Sequence, residues 1–149
     1  MKNLPVVLLT ALLCGAPIPV MAANLLNMPE GPLSDTEWRL VSFTPSNAAE
    51  ASFSPPKGAK YTMVLKTKGR VTFRYDCNTA RGIWSSVNPA DGRGTLTFGP
   101  LAMTHKACES TAFNKRISGD IRETLGYSLD GALLTVRTAS GIYLWHRLD

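Results

Sequence analysis

Histidine and cysteine are scarce in this 149-residue chain, which contains two histidines and three cysteines. A zinc site with four protein ligands would need almost all of them. Apolar runs long enough to cross a bilayer as a helix are also lacking. The chain has neither a nucleophile-elbow motif nor a phosphate-binding glycine loop with its lysine–serine pair. These absences argue against a zinc enzyme, an α/β-hydrolase and a nucleotide-binding enzyme.

Residues 1–22 have the pattern of a secretory signal peptide. Lys2 supplies the positive start, Leu4 to Leu13 is an almost unbroken apolar run, and Ala22 offers a small residue before a cleavage site. Ten apolar residues form a helix of roughly 15 Å, about half the thickness of a bilayer core. Lipidation at Cys14 is the alternative, but Leu13 stands where the lipoprotein peptidase requires a small residue. We therefore predict a periplasmic or secreted protein without a lipid anchor or a transmembrane segment.

Cleavage would leave 127 residues, which is enough for one domain and too few for two domains that each have a sizeable hydrophobic core. The net charge would fall from +5 to +4, because Lys2 is removed with the signal. Residues 23–34 contain two prolines and no periodicity, which predicts a flexible lead-in to a domain over residues 35–149. We expect a monomer.

Export also bears on the cysteines. Without Cys14, the only possible pair is Cys77 with Cys108, and an oxidising compartment favours a disulfide between them. In the chain-entropy model, closing the loop between positions 77 and 108 with a disulfide stabilises the folded state by about 3–4 kcal/mol. A zinc site formed by both cysteines, His105 and His146 is the alternative. We prefer a disulfide beside an ordinary surface histidine, and we predict no metal ligand.

Alternating apolar residues predict a mostly antiparallel β structure. The clearest hairpin covers residues 60–76, where two alternating runs flank a short turn at 66–70. The residues predicted to face inward on these two strands are Tyr61, Met63, Leu65, Val71, Phe73 and Tyr75. A strand pattern precedes the hairpin at 36–43, and further strand patterns follow it at 81–86, 94–98, 127–129, 133–138 and 142–148.

One segment has the period of a helix instead of a strand. From Ser110 to Leu125 an apolar residue recurs at every fourth position, and Gly126 follows as a helix-ending residue. The predicted buried stripe consists of Phe113, Ile117, Ile121 and Leu125, packed against Phe73, Leu96 and Phe98. The predicted fold is therefore α+β: an antiparallel sheet of about eight short strands, curled as a half-barrel around one amphipathic helix.

Several separated motifs resemble the META domain family, whose members include heat-shock-lipoprotein-like proteins of bacteria. The motifs are Trp38–Leu40, Asp76–Asn78, Gly82–Trp84, Leu96–Pro100, Met103-Thr104, Ala107-Cys108 and Tyr127–Gly131. Asp76 departs from the pattern, because glycine usually precedes this Cys-Asn pair. The resemblance implies a half-barrel in the cell envelope, with links to stress and antibiotic tolerance. It implies no enzymatic site.

A basic face is the strongest candidate for a binding surface. Lys66, Lys68, Arg70 and Arg74 lie on the predicted hairpin, and strand alternation places Lys66, Arg70 and Arg74 opposite its apolar face. Such a face can attract an anionic lipid or an acidic partner. The alternative is a solvated sheet face, on which lysine and arginine discourage pairing at an edge.

Two kinds of function remain open. We expect a non-enzymatic envelope protein that aids stress or antibiotic tolerance by binding an unknown envelope protein or an anionic envelope component. The alternative is a small secreted inhibitor, or a half-barrel that binds a hydrophobic ligand. We predict no catalytic residue, no cofactor and no nucleic-acid partner.

The disulfide is directly testable. We expect protein purified from the envelope to carry the Cys77–Cys108 bond, because export exposes the only pair of cysteines to oxidants. Intact-mass measurement after alkylation should detect no free thiol. Two alkylated cysteines would contradict the prediction.

Overall fold

The computed structural model describes residues 31–90, 92–108 and 111–149. The predicted signal peptide and residues 23–30 of the predicted lead-in lie outside these residues. Within the described ranges, no helix is long and apolar enough to span a bilayer.

Nine strands and one α-helix follow one another along the described chain. The strands are β1 Thr36–Pro45, β2 Tyr61–Lys66, β3 Arg70–Tyr75, β4 Asn78–Ala90, β5 Arg93–Phe98, β6 Ala102–Met103, β7 Thr124–Asp130, β8 Leu133–Thr138 and β9 Gly141–Leu148. The helix α1 spans Thr111–Asp120. Short 3-10 turns occupy Thr67–Gly69 and Ile121–Glu123.

The sheet closes on itself, so the predicted half-barrel is wrong in this respect. The strand order is β3-β2-β1-β9-β8-β7-β5-β4, and β3 also pairs with β4. All of these strand pairings are antiparallel. The two residues of β6 pair with Ala80 and Arg81 of β4, also in antiparallel orientation. The coarser prediction, an antiparallel sheet of about eight strands with one helix, is confirmed.

The predicted hairpin over residues 60–76 is confirmed. Its two strands pair in register from Tyr61 with Tyr75 to Lys66 with Arg70. All six residues predicted to face inward are buried. They join a core that is rich in aromatic rings and includes Trp38, Phe43, Tyr127, Tyr143 and Trp145. Alternation therefore distinguished the two faces of this hairpin correctly, because successive side chains of a strand point to opposite faces.

The helix packs against one end of the barrel. The ring of Phe113 contacts those of Phe43, Phe53 and Tyr61, and its centroid lies 3.5 Å from that of Phe53. Ile117 and Ile121 are fully buried in the same core. At the opposite end of the barrel, a turn after Gly31 buries Leu33, whose carbonyl accepts a hydrogen bond from Thr36 Oγ1.

The predicted end of the helix is wrong. The α-helical conformation stops at Asp120, a 3-10 turn follows, and Leu125 already belongs to β7. Leu125 is 65% exposed instead of buried. Gly126 ends no helix: it pairs with Arg137 on β8, beside a bulge in the ladder. A Cβ atom there would lie 3.0 Å from the carbonyl oxygen of Gly94, so glycine allows β5 and β7 to approach each other.

Ile121 and Leu125 form a matched pair for measuring how the helical segment stabilises the fold. We expect Ile121→Ala to lower the free energy of unfolding by about 2–4 kcal/mol, because it truncates a fully buried aliphatic side chain. Leu125→Ala should change it by less than about 0.5 kcal/mol, because its side chain is exposed. Urea titration measures both. A loss near zero for Ile121→Ala would mean that the helical segment lies outside the core.

Candidate functional site

The predicted Cys77–Cys108 disulfide is present, with Cα atoms 5.9 Å apart. It joins the turn between β3 and β4 to the segment that precedes the helix. Disulfides form and persist in oxidising compartments, so this bond is consistent with export.

Asn78 holds the same segment by hydrogen bonds. Its side chain is buried, and its Oδ1 accepts bonds from the backbone N–H of Lys106 at 2.7 Å and from Thr104 Oγ1 at 2.9 Å. Its Nδ2 donates to the Lys106 carbonyl at 3.0 Å and to Cys108 Sγ at 3.0 Å. One side chain thus pairs with both the backbone N–H and the backbone carbonyl of Lys106, which an asparagine can do because its amide carries both an acceptor and a donor.

Asp76 makes the tight turn before Cys77 in a left-handed conformation, with φ of 58°. Glycine adopts this conformation without steric cost, and aspartate tolerates it better than most residues. The backbone N–H of Asp76 donates to the Lys60 carbonyl, and its own carbonyl accepts from Arg74 Nε. These bonds hold the turn in the place where the family pattern usually has glycine.

The alternative zinc site does not fit this arrangement. An oxygen of Asp76 lies within 4.8 Å of both cysteine sulfurs, but the sulfurs are bonded to each other and are therefore not thiolate ligands. His105 is exposed on the segment that Asn78 holds, and His146 is exposed on β9 opposite Leu133. The structure does not bring either histidine into that group.

The four residues of the basic face are all exposed on the outer surface. Lys66 and Arg70 are direct cross-strand partners on β2 and β3, Lys68 lies in the 3-10 turn between them, and Arg74 is near the far end of β3. Among the described residues, the salt bridge found joins Arg116 to Glu50, and none of the four basic residues takes part in it. No ion pair among the described residues therefore neutralises the positive charge of the basic face.

The turn that carries Lys68 is held from two sides. Trp84 Nε1 donates to the Lys66 carbonyl at 3.0 Å, and Asp35 Oδ1 accepts from the backbone N–H of Thr67 at 3.2 Å. A Cβ atom at Gly69 would lie 2.8 Å from the Trp84 carbonyl oxygen, so the turn sits directly on β4. Its basic side chains are thus displayed from a fixed backbone.

Sequence reasoning missed a polar group beneath the helix. The Asp120 carboxylate accepts hydrogen bonds from Ser140 Oγ and from the Tyr143 hydroxyl. Burial, and then this hydrogen bond, raises the pKa of Tyr143 well above its ordinary value. Burial also raises the pKa of Tyr75, although the nearby positive charge of Arg122 acts to lower it. The group connects the end of α1 to β9. In the sequence, Asp120 is one of several charged residues between the apolar positions of the helix, so nothing marked it out.

These features define a class: a small antiparallel barrel, covered at one end by a helix and fastened by one disulfide. The sequence pattern of the META domain matches residues 31–146. The chain therefore belongs to the META domain family, as the motifs around Asn78 predicted. No curated protein sequence matches the chain closely enough to count as a relative.

Two solved structures resemble the fold. A protein from Burkholderia xenovorans, solved by NMR, is 23% identical, with a TM-score of 0.56 over 78% of this chain and 84% of its own. A crystal structure of a DUF4847 family protein from Bacteroides vulgatus is 14% identical, with a TM-score of 0.52 over 77% of this chain and 94% of its own. At these identities the likeness concerns the fold alone.

The role of Asn78 leads to a stability prediction. We expect Asn78→Ala to lower the free energy of unfolding of the oxidised protein by about 2–4 kcal/mol, because it removes a buried side chain whose hydrogen bonds hold Thr104, Lys106 and Cys108. Asn88→Ala, at an exposed position of β4, serves as the control and should change it by less than about 0.5 kcal/mol. Urea titration of both variants tests this. An equally small change at Asn78 would show that the disulfide alone holds the segment.

Proposed function

We propose that this META domain protein is exported to the cell envelope and acts there without catalysis, by binding an anionic component or an acidic partner through its basic face. Three features support the proposal: the signal-like leader, the internal disulfide, and the positive charge of Lys66, Lys68, Arg70 and Arg74, which no other described residue neutralises by an ion pair. A contribution to stress or antibiotic tolerance is the physiological role that the family resemblance suggests.

Closure of the barrel is the observation that carries the proposal. Lysine and arginine often protect the edge of a sheet from pairing with another chain. Here β2 pairs with β1 and β3, and β3 pairs with β2 and β4. Lys66, Arg70 and Arg74 therefore lie on interior strands of a closed sheet, and Lys68 lies in the turn between those strands. There is no edge in this region for them to protect.

The pairing of Lys66 with Arg70 points the same way. Like charges directly opposite each other on neighbouring strands weaken a sheet. Neither residue forms an ion pair with another described residue that would offset the repulsion. A binding role accounts for the presence of two like charges at opposed positions where they weaken the fold.

The alternative function as a binder of a hydrophobic ligand has less support. The interior of the barrel is occupied by large side chains with almost no exposed surface, among them Trp38, Tyr61, Phe73 and Trp145. The two best-defined pockets of the described residues are surface depressions lined by residues such as Asp35 and Arg147, or Leu125 and Ile142. Neither reaches these interior side chains.

The test is capture of binding partners from an envelope extract of the source cell by the immobilised mature protein. The variant Lys66→Gln, Lys68→Gln, Arg70→Gln, Arg74→Gln should lose the species that wild type retains, because the charge that attracts them is gone. Mass spectrometry and lipid and glycan analysis identify what is bound.

A matched control removes four other positive charges. Lys57, Lys60, Lys106 and Lys115 are exposed and lie outside the basic face, so changing all four to glutamine alters the net charge equally. This variant should retain the captured species. Equal loss from both variants would show a response to net charge only, and unchanged capture by the basic-face variant would refute the proposal.

A further inference from the structure

Two exposed aliphatic side chains lie beside the basic face on β4. Ile83 is 62% exposed and Val87 is 66% exposed. The two residues are four positions apart on one strand, so they share a face and are separated by roughly 13 Å. The described chain has several exposed large apolar residues, and Ile83 and Val87 are the two of them that lie on β4.

Ile83 belongs to the same cross-strand row as two of the basic residues. It is the partner of Arg70, which is in turn the partner of Lys66. Directly opposed side chains have Cβ atoms about 5 Å apart, so the positive charge of Lys66 and Arg70 lies next to the exposed aliphatic surface of Ile83. A Cβ atom at Gly99 would lie 2.6 Å from Ile83 Cγ1, which shows that the Ile83 side chain lies against the Gly99 backbone with its other side open.

We infer that Ile83 and Val87 enter the interfacial layer of an anionic lipid bilayer while Lys66, Lys68 and Arg70 contact its phosphate groups. This inference builds on the proposed function and names its partner. Peripheral membrane-binding surfaces combine aliphatic groups at the acyl boundary with basic groups at headgroup level. The stems of lysine and arginine lie along apolar surface while their charged ends reach outward, which suits the row from Lys66 to Ile83.

The composition of the surface favours a bilayer over a protein partner. Protein interfaces are centred on a few buried anchors, most often tryptophan, tyrosine or arginine. The exposed large apolar side chains of the described residues are all aliphatic, so this surface presents arginine without an aromatic anchor. The described acids nearest the basic face are Asp35, which accepts from Thr67, Glu37, and Asp76, whose backbone carbonyl accepts from Arg74 Nε. None of these three carboxylates forms an ion pair with the basic face.

The experiment is co-sedimentation of the mature protein with vesicles of equal parts phosphatidylglycerol and phosphatidylcholine, compared with vesicles of phosphatidylcholine alone. Wild type should bind the anionic vesicles, and binding should weaken as salt increases. Ile83→Ser should bind about tenfold more weakly, since the aliphatic contribution is lost. Leu125→Ser is the matched control, because Leu125 is 65% exposed on β7 away from the basic face, and its binding should be unchanged.

A second readout detects insertion directly. Tryptophan emission shifts to shorter wavelength when the indole leaves water, so Ile83→Trp should shift on addition of anionic vesicles and Leu125→Trp should not. The native tryptophans Trp38, Trp84 and Trp145 are buried and provide a constant background.

The outcomes separate this inference from the proposed function. Absence of vesicle binding by wild type, equal binding to both kinds of vesicle, or equal affinities of Ile83→Ser and Leu125→Ser would each overturn the lipid inference. Capture from the envelope extract that depends on the basic face would still support the proposed function in those cases. A tenfold loss confined to Ile83→Ser, with the emission shift confined to Ile83→Trp, would support the lipid inference.

Discussion

The hydrogen-bonded pairing of β3 with β4 turns an open sheet into a closed barrel. It runs without interruption from Arg70 with Ile83 to Tyr75 with Asn78. The tight turn at its end is the point where the disulfide and the Asn78 side chain attach the segment that leads into the helix. One hairpin therefore fixes both the closure of the sheet and the approach of the helix to the barrel. The polar Asp-Cys-Asn sequence is part of the framework of the fold.

The extent of strand pairing differs between two sides of the barrel: β3 and β4 are paired along their contact, whereas β5 and β7 are paired at few residues. Between β5 and β7 the ladder contains two residue pairs, Arg93 with Ser128 and Gly94 with Tyr127. Beyond them, the side chain of Thr124 donates to the Leu96 carbonyl in place of a strand. Unpaired backbone at such an opening invites association with another chain. The 3-10 turn at Ile121–Glu123 lies against β5 at this opening, and the buried Ile121 side chain helps to fill it.

The sequence predicted those features that local periodicity encodes. The two-residue period of the β2–β3 hairpin identified its inner face, and Phe113, Ile117 and Ile121 identified the packed side of the helix. Leu125 continued the same spacing by coincidence after the chain had changed to a strand, because four-residue spacing does not reveal where helical hydrogen bonding stops. Closure was hidden because Asp76 occupies the left-handed turn position without the glycine that signals a tight hairpin. The exposure of Ile83 was equally hidden, because an isoleucine in a strand pattern gives no sign that its face meets solvent.

Closure also changes the interpretation of the outer surface. On a half-barrel, the positive charges of β2 and β3 would have had a sufficient explanation as protection of nearby edges. In the barrel, both strands have partners on each side, and the repulsion between Lys66 and Arg70 remains as a cost to folding. The backbone beneath them is fixed by Trp84 and Asp35, so little conformational freedom of the backbone remains to be lost when a ligand binds. The side of the barrel that the β3–β4 pairing creates carries four basic residues that form no ion pair with another described residue. It also carries the fixed turn, and an exposed isoleucine in the row of Lys66 and Arg70. The interaction that closes the fold thereby also assembles the surface that we propose to be functional.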